Sequence, residues 1–312
     1  MDRVSHNPAP GQQNDAPPSD ATLRWVERCL GPGSTVKKVR PLGDGSSRRN
    51  HAMLVESRSG TAHRLVLRRW SQDWMLDNPG FSPEREIAAL ALLAGCEIPT
   101  PVLVAADPGG AYCDSPTLLI TRLVGHPPRP AAEDLPEYLI QLAAALLAVH
   151  SLNGASTMPP YMPYNPLDGC EPPRHTLRPE LWERAIDIVG DPSPDASLHF
   201  IHRDYHPDNT LWAYGRLTGI VDWSTASYGP IGIDIAHMRW NLALRYGVPA
   251  ADRFLASFEQ VHGGYDHHPY WDLRTLVDLL PEHVEGTIPE RHVRLFENYL
   301  EGLLAQLGTV VR

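Results

Sequence analysis

His199-Phe200-Ile201-His202-Arg203-Asp204-Tyr205-His206-Pro207-Asp208-Asn209-Thr210-Leu211-Trp212 is a polar island in an otherwise apolar, helix-patterned half of the chain. A short apolar strand delivers Asp204 into a loop, and Pro207, which has no N–H for a ladder, prevents that strand from continuing. Five residues after Asp204, Asn209 stands where the chain enters another strand. The Tyr214-Gly215-Arg216 turn then returns the chain along Leu217 to Val221, ending at Asp222 and Trp223. This hairpin brings one carboxylate, one carboxamide and a second carboxylate together. Such hard oxygen donors are the ligands Mg²⁺ takes when substrate phosphates and water complete its shell.

On the carboxyl side, helical patterns are expected at 233–246, 250–262, 270–280 and 290–307, and on the amino side at 181–189 and 135–150. Residues 154–180 are dense in proline without periodicity and read as a long ordered surface loop. Upstream the pattern changes. Residues 35–41, 52–56 and 63–70 alternate or are β-branched, with glycine-rich turns at 43–47 and 57–60, which predicts a three-stranded antiparallel meander. Pro83 with Glu84 and Glu86 opens a helix over 83–94 that Gly95 stops, and two more strands are expected at 102–105 and 117–123. Residues 21–30 predict a first amphipathic helix with Asp20 as N-cap and Leu23, Val26 and Leu30 on one face. The division is a disordered tail over 1–20, a β-rich lobe with one inner helix over 21–124, and a larger helical lobe over 125–312.

The chain has 312 residues, 42% of them hydrophobic, with 27 basic and 37 acidic side chains and a net charge of −10. Residues 1–130 carry 15 basic and 13 acidic groups, and residues 131–312 carry 12 and 24. That acidity disfavours nucleic acid and favours cations. No apolar run is long enough to span a membrane and no signal pattern opens the chain, so a soluble cytoplasmic protein is expected. Cys29, Cys96, Cys113 and Cys170 lack metal or redox spacing and read as reduced thiols in or near the core.

His202-x-Asp204-x-x-x-x-Asn209 followed by Asp222, together with Ile220-Val221-Asp222-Trp223 through Gly229-Pro230-Ile231-Gly232-Ile233-Asp234-Ile235-Ala236, resembles the aminoglycoside phosphotransferase and choline kinase-like family, relatives of protein kinases. The resemblance implies an α+β, protein-kinase-like two-lobed fold. It also implies transfer of the γ-phosphoryl of ATP or GTP to a hydroxyl of a small acceptor, either a cationic one such as an aminoglycoside, an amino sugar or choline, or another such as a macrolide or a small hydroxylated metabolite. Asp204 is then the catalytic base, and Asn209 and Asp222 are the Mg²⁺ ligands. His202 holds the catalytic loop and Asp234 braces it. Gly43, Gly45, Ser46 and Ser47 form the turn over the phosphates. Where kinases carry a lysine in the third strand this chain has Arg68, with Arg69 beside it as the alternative. Glu86 is the expected partner of Arg68, with Glu84 as alternative, and the base sits at Thr121 and Leu123 beside Val66 and Ile120. Asp272, Asp278, Glu282, Glu285 and Glu290 suit a cationic acceptor. Trp182, Trp240 and Trp271 wall an apolar or quaternary-ammonium pocket, or serve as core.

Two other readings compete. His202, Asp204 and His206 at alternating positions, with His267 and His268, resemble zinc ligands of a metal-dependent hydrolase. The missing strand lysine suits a catalytically impaired nucleotide-binding relative on the same scaffold.

Overall fold

The computed structural model describes residues 17–42, 48–71, 75, 82–173, 176–280 and 290–310. They form two compact units. One holds the chain up to Ala94 together with Thr100–Leu123, and the other holds Gly95–Pro99 and everything from Val124.

The first unit is a five-stranded antiparallel sheet. Its strands are β1 (Thr35–Pro41), β2 (Arg48–Glu56), β3 (Ala62–Trp70), β4 (Leu103–Asp107) and β5 (Thr117–Thr121), in spatial order β1-β2-β3-β5-β4. Alternation along the strands gives the sheet two faces. Met53, Val55, Leu65, Leu67 and Leu119 pack with Trp25 and Val26 of α1 (Asp20–Cys29). The other face carries Ala52, Val66 and Arg68, and α2 (Pro83–Leu93) contributes Glu86 to it. The N-cap of α1 is Ser19, whose Oγ accepts the Thr22 amide at 3.2 Å, so the cap lies one residue before the expected Asp20. The turn carrying Gly43, Gly45, Ser46 and Ser47 lies outside the described residues, as do residues 1–16 of the expected tail.

The second unit is helical: α3 (Leu135–His150), α4 (Pro179–Gly190), α5 (Gly232–Tyr246), α6 (Val248–His262), α7 (Tyr270–Asp278) and α8 (Glu290–Val310). Two small hairpin-like pairs stand among them, β6 (Leu198–Ile201) with β9 (Ser227–Pro230) and β7 (Thr210–Ala213) with β8 (Arg216–Ile220). Trp182, Leu273, Leu276, Phe296, Leu300 and Leu303 make the core of α4, α7 and α8. Gly232 opens α5 where a side chain has no room, since a Cβ there would lie 2.4 Å from the Trp271 ring. Trp182 and Trp271 are therefore packing residues, 1% and 6% exposed, and wall no acceptor pocket.

The acidic residues of this unit correct a second expectation. Asp272 is fully buried, accepting from Arg239 at 2.6 Å and Tyr299 at 2.8 Å and lying 2.5 Å from His267 Nε2. Burial would raise its carboxyl pKa, but His267 and Arg239 outweigh that and hold it below the ordinary value. Asp278 accepts from Arg274, from the Asn165 amide at 3.0 Å and from Tyr161 at 3.3 Å. Neither carboxylate is available to a cationic acceptor. Glu282 and Glu285 lie outside the described residues, and the Glu290 side chain is not described. Asp272→Ala leaves Arg239 buried with only Asp252 at 2.9 Å, and we expect it to cost about 3–5 kcal/mol. Thermal unfolding of the variant checks this; an unchanged midpoint would contradict the buried pair. Among the cysteines, all four are free, but Cys29 is exposed instead of lying near the core.

Candidate functional site

The polar island becomes a turn held from beneath by one carboxylate. β6 ends at Ile201, and the next two amides, of His202 and Arg203, donate to Asp234 at 2.8 and 2.6 Å. Asp234, completely buried in the first turn of α5, also meets His150 Nε2 at 2.9 Å. Its position satisfies backbone donors that β6 no longer pairs, which is why a buried carboxylate is stable there. Arg203 adopts the left-handed region, φ 69°, and its guanidinium stacks 3.8 Å from the Tyr164 ring while donating to the Met162 carbonyl. The proline-rich loop is thereby fastened to the turn that carries Asp204.

His202 uses both ring nitrogens inside the protein: Nε2 donates to the Val221 carbonyl at 3.0 Å, and Nδ1 accepts the Asp204 amide at 3.3 Å. Its ring packs 4.4 Å from that of Trp223. One imidazole thus links the residue before Asp222 to the amide of Asp204. Burial pushes its pKa below the ordinary value, which favours the neutral ring, and with both nitrogens engaged inside the protein neither is left to ligate zinc. His267 is similarly occupied by Tyr265 at 2.8 Å and by Asp272. No group of three or more His, Cys, Asp or Glu that would hold a metal occurs among the described residues.

Asp204 retains 31% exposure of its side chain. Oδ1 lies 3.2 Å from His237 Nε2 and 3.6 Å from His206 Nε2, and Oδ2 accepts the Asn209 amide nitrogen at 3.0 Å. Burial acts to raise its pKa, but the hydrogen bonds and charges of His206 and His237 prevail and hold the carboxyl well below the ordinary range. Asn209, in the 3₁₀ turn Pro207–Asn209, also donates to the Asp204 carbonyl at 2.9 Å. With its nitrogen so engaged, its oxygen is the atom left for a ligand. The amide of Val221 donates to the Asn209 carbonyl at 2.9 Å, so the start of β7 and the end of β8 are tied side by side.

Asp222 follows at φ 68°, a left-handed conformation that costs a non-glycine residue energy and persists where neighbours enforce it. The enforcing contacts are those of Trp223, fully buried, with Nε1 donating to the Ile220 carbonyl at 3.1 Å and its ring stacked on Phe200. Ser224 Oγ donates to Asp222 Oδ1 at 2.9 Å and orients the carboxylate. The donor set that Asn209 and Asp222 offer is oxygen only and too small to complete a shell. That fits Mg²⁺, which keeps waters and substrate oxygens, and does not fit zinc.

In the first unit Arg68 and Glu86 form an ion pair at 3.1 Å, 4% and 1% exposed. Glu84 is exposed and Arg69 turns to the opposite face, pairing with Asp114 at 3.1 Å. On the face of Arg68, a cleft of about 330 Å³ is lined by Lys38, Arg40, Arg64 and Arg122 over Ala52 and Leu54. Desolvation, then Arg40 and Arg64, depress the Arg122 pKa, the mark of cations held near one another. Thr121 is engaged within the sheet, its amide on the Val102 carbonyl at 2.9 Å and its hydroxyl under the Val102 amide at 2.8 Å, whereas Leu123 lies beyond the strand.

The second unit therefore gathers Asp204, Asn209, Asp222, His202 and Asp234. Sequence reasoning missed His237, whose only signal is its place one helical turn after Asp234, and it passed over the basic cleft, signalled by Lys38 and Arg40 at alternating positions. His206, read in the sequence among the alternating residues of the zinc alternative, faces Asp204.

His150 and His202 set an acid limit on the fold. Burial lowers both ring pKa values below 6.5, so below that pH the unfolded chain takes up protons that the folded chain refuses. Stability is full above about pH 6.5 and declines as pH falls toward the depressed values. We expect the unfolding temperature to drop between pH 7 and pH 5 and the drop to shrink in His150→Gln; a midpoint that rises over this interval would contradict neutral histidines.

The sequence model of the phosphotransferase enzyme family matches residues 38–272, three quarters of the chain. None of the curated proteins matches the sequence significantly. Among solved structures, a thermostable mutant of aminoglycoside phosphotransferase APH(4)-Ia in complex with AMP-PNP and hygromycin B is 16% identical with a TM-score of 0.65, covering 91% of this chain and 98% of its own. Macrolide 2'-phosphotransferase MphH from Brachybacterium faecium is 17% identical with a TM-score of 0.56, over 83% and 87%. An aminoglycoside-3'-phosphotransferase of type VIII is 17% identical with a TM-score of 0.52, over 82% and 97%. At these identities the likeness is one of fold, the α+β protein-kinase-like fold. No helix among the described residues is long and apolar enough to cross a membrane.

Proposed function

Since the chain belongs to the phosphotransferase enzyme family and is a phosphotransferase with an alcohol group as acceptor, we propose that it moves the γ-phosphoryl of ATP or GTP to a hydroxyl of a small molecule with Asp204 as base. The observation that carries this reading is the Asp204 carboxylate, held ionised between two imidazoles and the Asn209 amide, partly exposed at the end of a fastened turn. Phosphoryl transfer through a loose transition state asks little covalent chemistry of the protein. It needs an oriented hydroxyl and charge on the phosphates.

Each residue then has one task. Asp204 orients the acceptor hydroxyl and takes its proton as the oxygen–phosphorus bond forms. Because its pKa is depressed it is a weak base, so that transfer comes late, which suits a transition state with little bond formation to the nucleophile. Asp234 and His202 fix the turn and touch no substrate. Asn209 and Asp222 are the residues that would hold Mg²⁺, which when bound neutralises charge on the donor phosphates. Arg68, kept in place by Glu86, presents its guanidinium to phosphate oxygens, and the cations of the basic cleft favour a polyanionic donor. The base of the donor meets the chain at Leu123 beside Val66 and Ile120, and the turn at Gly43, Gly45, Ser46 and Ser47 covers its phosphates. A cytoplasmic location suits a nucleotide donor.

With Asp272 and Asp278 engaged internally, the case for a cationic acceptor rests on the acidic balance of residues 131–312. Aminoglycosides, amino sugars, choline and neutral hydroxylated compounds such as macrolides therefore enter one acceptor panel. The test is transfer from ATP and from GTP, with and without Mg²⁺, read as the mass gain of one phosphoryl group on an acceptor. Acceptor-dependent transfer that Asp204→Asn abolishes supports the reading. Nucleotide binding without transfer to any acceptor would instead indicate a catalytically impaired relative.

A further inference from the structure

Away from the catalytic turn, the second unit holds a cavity of about 250 Å³ between residues 126–130, the first turn of α3 and the end of β7 with its tip at Tyr214 and Gly215. Its walls are fixed. His126 and Trp212 exchange backbone hydrogen bonds at 3.1 and 2.9 Å, and Gln141 of α3 grips both sides of the hairpin tip, donating to the Gly215 carbonyl and accepting the Leu217 amide. Gly125, at φ +124°, permits this approach, since a Cβ would lie 2.6 Å from Thr218 Oγ1 and 2.9 Å from the Trp212 nitrogen.

The floor is aromatic. The Tyr138 and Trp212 rings, 3% and 6% exposed, lie 4.6 Å apart, beside the buried Pro128. Trp212 Nε1 is engaged by Thr210 Oγ1 at 2.9 Å, so Trp212 offers the cavity only ring surface. The Tyr138 hydroxyl is buried against Thr210.

The mouth carries charges of both signs. Asp134 occupies the N-cap position of α3 yet makes no capping bond with its side chain, and no ion pair joins it to Arg129, though both line the cavity. Glu137 is already shared by Gln141 and Arg216. One carboxylate and one guanidinium therefore stand at the entrance to a space sized for a single ring, below the volume of pockets that take drug-sized molecules.

We propose that this cavity is a ligand site, distinct from the phosphotransfer centre, for a small zwitterion bearing a flat apolar ring, the chemistry of a free aromatic amino acid. The ring lies on Tyr138 and Trp212, the ammonium meets Asp134, and the carboxylate meets Arg129. Thr210 Oγ1, which holds the Trp212 ring, also donates to the Pro207 carbonyl at 2.7 Å, so the floor of the cavity adjoins the turn that carries Asn209.

The test titrates the full chain with L-phenylalanine, L-tyrosine, 2-phenylethylamine and 3-phenylpropionate, followed by saturation-transfer NMR and calorimetry and needing no turnover. The amino acids are expected to bind at least tenfold tighter than either singly charged analogue. Arg129→Gln should erase the advantage over the amine, and Asp134→Asn the advantage over the acid; both residues are exposed, so folding is spared. Ala213→Leu should abolish binding by filling the cavity. Absence of binding by all four compounds at millimolar concentration, equal affinities among them, or binding undiminished in Ala213→Leu would each overturn the proposal.

Discussion

Asp204→Asn lowers kcat by about two to four orders of magnitude while the fold and donor binding persist. Asparagine keeps the shape of aspartate and can still accept the Asn209 amide, so the turn that Asp234 braces from below does not depend on the change. What disappears is the negative charge that His206 and His237 favour and the capacity to accept a proton. On the proposed mechanism, in which Asp204 orients the hydroxyl as well as accepting its proton, kcat falls while the KM of the donor stays close to wild type, the pattern of an interaction made in the transition state. Steady-state kinetics with the donor varied at saturating acceptor read this directly. Turnover within a few-fold of wild type would remove Asp204 from the mechanism, and a parallel loss of donor affinity would mean that the substitution had disturbed Asn209.

The turn that carries Asp204 was legible in the sequence because its information is local. Pro207 fixes where the strand stops, Asn209 follows Asp204 by five positions, and a tight turn dictates that Asp222 returns beside them. The alternation of β3 likewise determines that Arg68 and Arg69 face opposite sides, but it takes the docking of α2 to decide that Glu86, and not Glu84, meets Arg68. His237 was not legible in the same way. It reaches Asp204 from α5, 33 positions along the chain, and nothing in its own neighbourhood reports that encounter. Asp272 and Asp278 were misread for the converse reason. Carboxylates in amphipathic helices normally face solvent, and only the tertiary fold brings Arg239 and Tyr299 against one and Asn165 and Tyr161 against the other. Acidity counted along a sequence is thus a poor guide to acidity facing a ligand.

Asp222→Ala is expected to remove the Mg²⁺-dependent part of donor binding and with it most of the activity. At a donor concentration 100-fold above Kd, binding stabilises the folded chain by about 2.7 kcal/mol, enough to resolve as a shift in unfolding temperature. In the wild type this shift should appear with ATP or GTP only when Mg²⁺ is present, and the nucleotide giving the larger shift is the donor. In Asp222→Ala the traces with and without Mg²⁺ should coincide. Alanine also meets the left-handed conformation at φ 68° with a cost of about 1–2 kcal/mol, so the variant unfolds earlier in the absence of any ligand. Asp222→Asn separates the two effects, because asparagine tolerates that conformation and keeps an oxygen for Ser224 but loses the charge. If Asp222→Asn unfolds like wild type without ligand yet shows no Mg²⁺-dependent shift, the carboxylate charge holds the metal. If Asp222→Ala keeps a Mg²⁺-dependent shift equal to that of the wild type, the metal is held by other residues and the pairing of Asn209 with Asp222 fails.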